Sequence, residues 1–91
     1  MIVKLSERTK DYMELVIENE DHTLGNLLTK IALEDPRVST AFYSKPHPLF
    51  DRIIFRIKTN GEDPVIVLKD IIKKIMEYSE RFEKEIESAV T

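Results

Sequence analysis

The side chains able to do chemistry are few and scattered. His22 and His47 are the only histidines, and there is no cysteine. A protein-held zinc wants three or four nitrogen or sulfur ligands at close spacing, which this pair cannot supply. His22 stands at the start of an apolar-periodic stretch and is expected to hydrogen-bond locally; His47, between Pro46 and Pro48, is expected to serve a turn. Glu18, Glu20 and Asp21 form a carboxylate cluster of a kind that can share acid–base work. No nucleophile motif accompanies it, and a chain with two glycines has no phosphate-cradling loop. Asp51, Glu62 and Asp63 fall at turns, where carboxylates cap and solubilise. Tyr43, Lys4, Arg56 and Lys58 are expected together on the wet face of a sheet, as in some RNA-binding domains. One tyrosine among glutamates is poor stacking equipment. Neither a catalytic residue, a metal site nor a cofactor is expected.

The elements that would position these groups are clearer. Ile2 to Glu7 and Tyr12 to Glu18 alternate apolar and polar residues and read as paired strands. From Asp21 to Pro36, Leu24, Leu27, Leu28 and Ile31 recur at the i, i+3, i+4, i+7 spacing of a helical face. Thr23 is expected to cap this helix, and Pro36 to end it at Asp35. Gly25, Thr29 and Ala32 make a flank of small residues. Glycine in a helix costs about 1 kcal/mol relative to alanine, and a close-packed neighbour would explain it. Val38 to Ser44 and Arg52 to Thr59 read as strands, joined through Lys45-Pro46-His47-Pro48, which cannot sit in a central strand. Asn60-Gly61 marks a turn, and Asp63-Pro64 starts a second helix. Along it run Leu68, Ile71, Ile72, Ile75, Met76, Ser79, Phe82 and Ile86 as one stripe, with Asp70–Lys74, Glu77–Arg81 and Glu80–Lys84 as expected ion pairs.

The fold class is therefore α+β: a two-layer β-β-α-β-β-α domain over residues 1–91, a four-stranded antiparallel sheet with two helices on one face. A net charge of −3 argues against a free-standing nucleic-acid binder. Charged residues of both signs make up 34% of the chain, which suits a surface laced with ion pairs. Met1 to Leu5 is too short for a signal peptide and no long apolar run follows, so a soluble, cytoplasmic chain without membrane contact is expected.

Comparing lengths gives the first hint of function. A helix from Pro64 to Ala89 would run about 39 Å, whereas strands of this size span about 25 Å. The stripe continues through Phe82 and Ile86, beyond what such a sheet can cover. The small flank of the first helix is expected to point the same way, and exposed apolar patches of that kind mark protein–protein interfaces.

Asp21-His22-Thr23-Leu24-Gly25-Asn26-Leu27-Leu28, followed by Pro36-Arg37-Val38, Ala41-Phe42-Tyr43 and Pro46-His47-Pro48-Leu49, resembles the archaeal subunit L family of DNA-directed RNA polymerase. The pattern is similar to the small eukaryotic counterparts and, more distantly, to the amino-terminal dimerisation domain of the bacterial alpha subunit. The resemblance runs from about Val3 to Val90. It implies a non-catalytic subunit that pairs with the alpha-like, D-type subunit of RNA polymerase, each contributing two helices to a shared layer. Large catalytic and small zinc-binding subunits would gather on that platform, and DNA and RNA would be met only through the whole complex. Carried over, Leu24, Gly25, Leu27, Leu28 and Ile31, with Ile72, Ile75, Met76, Ser79, Phe82 and Ile86 of the second helix, would line the layer. The alternative is a small homodimeric nucleic-acid-binding protein using the open face of its sheet.

Overall fold

The computed structural model describes residues 1–91. Alternating side chains build β1 (Ile2–Arg8), β2 (Tyr12–Glu18), β3 (Val38–Ser44) and β4 (Arg52–Thr59); helical periodicity builds α1 (His22–Glu34) and α2 (Pro64–Val90). All pairings are antiparallel, and the strand order is β1-β2-β4-β3. Met13, Ile17, Ala41, Ile53, Phe55 and Ile57 meet Leu28 and Ala32 of α1 and Val67, Leu68 and Ile71 of α2 in one core. Both helices therefore lie on the same face of the sheet.

The punctuation is local. Asp21, in extended geometry, accepts from the Thr23 amide at 3.0 Å and so caps α1, in place of the expected Thr23. His22 already belongs to the helix, which leaves Thr23 inside the first turn. Pro36 ends α1 with Asp35 as its C-cap. Asp63 caps α2 through the Val65 amide at 3.0 Å, with Pro64 in the first turn. Gly61 takes a φ of 101° in the turn between β4 and α2, which suits a residue with no Cβ.

Three further expectations change. First, α1 is turned: Gly25, Leu28 and Ala32 are its buried residues, so the small flank lies on the sheet and Leu27 is exposed. Small residues let the helix backbone approach the rings beneath. Second, the register of β3 shifts between Val38 and Thr40, a bulge that moves Val38 onto the face of Ala41 and Tyr43. Tyr43, opposite Phe55, points to the helices, so it does not join Arg56 and Lys58. Phe42 is the aromatic on the open face, where the Arg56 guanidinium lies 5.4 Å from its ring centre. Third, the expected ion pairs along α2 give way to other partners. Asp70 binds Arg37, Lys74 lies 3.9 Å from Asp35, and Arg81 sits 4.9 Å above the Tyr78 ring.

Candidate protein–protein interface

The sequence Asp21 to Asn26 locks α1 onto the sheet. The ring of Tyr43 lies against the backbone of Gly25, and its hydroxyl donates to Asn26 Oδ1 at 3.2 Å. With that proton committed, the phenol oxygen accepts from Nδ1–H of His22 at 2.9 Å, which sets the imidazole tautomer. His22 also stacks edge-on against Tyr43, ring centres 5.7 Å apart. At the far end of α1, the Arg37 side chain donates twice to Asp35, at 3.0 and 2.9 Å, and once to Asp70, at 2.9 Å, tying α1 to α2. The Asp35 side chain is 3% exposed. Hydrogen bonds from the Arg37 side chain, outweighing burial, hold its carboxyl at about 2.

On the open face, Arg56 Nε donates to Glu14 at 2.6 Å and Arg52 to Glu18 at 3.3 Å. Hydrogen bonds from the Ser6 hydroxyl and Arg56 hold the Glu14 carboxyl below the usual carboxylate range. Burial, then the nearby Glu14 charge, pushes the Tyr12 phenol up. The basic groups of this face are thus largely committed to neighbouring carboxylates. No three His, Asp or Glu side chains converge as metal ligands would. His47 packs its ring edge-on against Phe50, 5.7 Å away. No helix is long and apolar enough to cross a membrane.

The candidate interface residues divide into three groups. Gly25 and Leu28 are buried in the chain's own core, and Leu24 packs half-buried against it. Leu27, Ile31, Ile75 and Ser79 line a cleft between the helices, of about 640 Å³, together with Lys30, Glu34 and Tyr78. Ile72, Met76, Phe82 and Ile86 stand on α2, exposed by 42, 60, 66 and 49%. The cause is the length of α2. Its 27 residues run about 40 Å, yet its buried residues are Pro64, Val67, Leu68 and Ile71, all in the first third. From Met76 onward every residue is exposed. Sequence reasoning missed the Asp35–Arg37–Asp70 bridge, for which Pro36 beside a charged pair was the only signal.

An α+β domain whose longest helix lies half bare presents an apolar surface of the kind that protein–protein interfaces use. Residues 12–85 match the family described as the RNA polymerase Rpb3/Rpb11 dimerisation domain. The chain is 40% identical over 90 residues to DNA-directed RNA polymerase subunit Rpo11 of Methanothrix thermoacetophila, covering 99% of each. It is 42% identical over 89 residues to the Rpo11 of Sulfurisphaera tokodaii, covering 97% of this chain and 96% of that one. Its fold superposes on that of RNA polymerase subunit L from Thermoplasma acidophilum with a TM-score of 0.85, at 21% identity, over 96% of this chain and 86% of the other. The chain belongs to the Rpb3/Rpb11 dimerisation family, as a small non-catalytic subunit of DNA-directed RNA polymerase. Its partners are therefore other polymerase subunits.

Proposed function

We propose that this subunit pairs through its helical layer with the alpha-like, D-type subunit of the polymerase. The pair is then the cytoplasmic platform on which the large catalytic and small zinc-binding polymerase subunits assemble. The observation that supports this is the row Ile72, Met76, Phe82 and Ile86 on the uncovered part of α2. Those four, with Leu24, Leu27, Ile31, Ile75 and Ser79, meet the partner's helices. Gly25 and Leu28 act from beneath, setting how closely α1 lies on the sheet. The subunit carries no catalytic group, metal or cofactor of its own in this reading, and meets DNA and RNA only through the assembled enzyme. Co-expression with the alpha-like subunit, and affinity purification through a tag on the latter, tests it. A one-to-one complex that persists through gel filtration is expected, and recovery of the alpha-like subunit alone contradicts the reading.

A further inference from the structure

The two helices are fastened to each other at one end only. There Ala32, Asp35 and Ile71 are buried. Further along, Ile31 and Ile75 are half-buried, and beyond them Leu27 and Tyr78 are 43 and 71% exposed, so the cleft between α1 and α2 opens away from Asp35. The polar links across it are Arg37 to Asp70, at 2.9 Å, and Lys74 to Asp35, at 3.9 Å. The Arg37 guanidinium is a fixed point. Its backbone oxygen accepts from the Asn60 amide at 2.9 Å, which ties it to the turn before α2, and its fork donates to both oxygens of Asp35. One arm remains to reach Asp70. No residue of α2 beyond Ile71 is buried, so the helix is a lever from there on. Phe82 lies about 18 Å along the axis from Asp70, and a swing of about 10° at Asp70 carries it about 3 Å, most of a side-chain contact distance.

Resting on the pairing proposed above, we infer that Arg37 and Asp70 are positioning residues for it: their bridge aims the far half of α2 and fixes the opening of the cleft before the partner arrives. Apolar packing is non-directional and ends at Ile71, whereas a planar guanidinium held between carboxylates of the two elements fixes an orientation. A helix already held in its bound direction loses less freedom on association, so the bridge acts on affinity without touching the partner. Its two halves do different work. The Asp35–Arg37 half is buried on the carboxylate side and belongs to the fold. The Asp70 half is half exposed, and pairs of that kind add little to stability, so the direction of α2 is its main effect.

Asp70→Asn unfastens α2 and leaves Arg37 on Asp35. The chain has no cysteine, so Thr23→Cys with Glu80→Cys, both exposed and outside the apolar row, takes a pair of spin labels across the open end of the cleft. Pulsed dipolar spectroscopy reads their distance in the free labelled chain, and calorimetric titration with the alpha-like subunit reads the affinity of the unlabelled one. Asp70→Asn is expected to broaden the distance distribution about twofold and to weaken binding about fivefold or more, with Tm within about 3 °C of the parent. Asp70→Glu, which keeps the carboxylate, and Glu77→Gln, which removes an equal charge from an exposed position of α2, should stay within about twofold of the parent affinity. Weaker binding of Asp70→Asn with an unchanged distribution overturns the inference, since Asp70 then meets the partner directly. A broadened distribution at parental affinity overturns it too, as do parental values of both. Absence of binding by the parent chain, seen before any substitution is made, overturns the pairing and this inference together.

Discussion

Gly25 lies flat under the ring of Tyr43: a Cβ built on it would fall 2.5 Å from Cδ2 and 2.6 Å from Cγ of that ring. The contact joins the first turns of α1 to the end of β3 and explains a glycine inside a helix. Gly25→Ala gains helix propensity worth about 1 kcal/mol. It must also displace a ring held by His22 and Asn26, and overpacking of this kind costs about 1–3 kcal/mol. The net expectation is a lower Tm. In a Tyr43→Ala background, Gly25→Ala should instead be neutral or stabilising, and a double-mutant cycle by thermal denaturation reads the reversal.

Asp35 gives the stability a defined acid dependence. Its carboxyl is at about 2 in the folded chain against 3.8 when free, chiefly through the Arg37 side chain. A folded-state value below the unfolded one means that the contribution is fully present above about pH 4 and is lost as the pH falls towards 2. With solvent screening around Arg37 discounted, it is worth about 1–2 kcal/mol. Urea denaturation at pH 6 and pH 2.5 should show Asp35→Asn losing less stability on acidification than the parent chain. Arg37→Ala, which leaves the buried carboxylate short of its main donor, should be destabilised at pH 6 more than at pH 2.5.

The element order, the β1–β2 pairing, the end of α1 and the start of α2 were readable in the sequence, because alternation, Pro36 and Asp63-Pro64 act within a few residues. Three features were hidden for a physical reason. A bulge between Val38 and Thr40 breaks the two-residue period on which face assignment depends, so Tyr43 was expected on the wet face. In α1 the leucine stripe and the small flank share one helix, and only the Tyr43 ring decides which side lies down. The Arg37–Asp35–Asp70 bridge joins the turn between α1 and β3 to α2, and a local pattern reaches only its Asp35–Arg37 half. By contrast, the helix overhang needed only a comparison of lengths, which is why part of the candidate interface could be read from the sequence.

The open face should not act as a nucleic-acid platform. Arg56 and Arg52 are held by Glu14 and Glu18, Lys4 lies 3.7 Å from the same Glu18, and the Arg56 guanidinium stands 5.4 Å from the centre of the Phe42 ring. A gel shift with single-stranded RNA at physiological salt should show no complex with the isolated chain. Tight binding there would restore the homodimeric nucleic-acid binder as a serious reading.

Whether the far half of α2 belongs with another polypeptide decides between an association subunit and a self-contained domain. Phe82 is 66% exposed and touches no buried core, so Phe82→Asp should leave the isolated chain's stability within about 0.5 kcal/mol of the parent. At the centre of an interface the same change should cost at least about 2 kcal/mol of binding, roughly thirtyfold. The direct measurement is calorimetric titration of the alpha-like subunit into the parent chain and into Phe82→Asp, with melting curves of both. The predicted result is one-to-one binding by the parent and a loss of thirtyfold or more in the variant at unchanged Tm. Equal affinity in the two chains, or no binding by the parent, would contradict it.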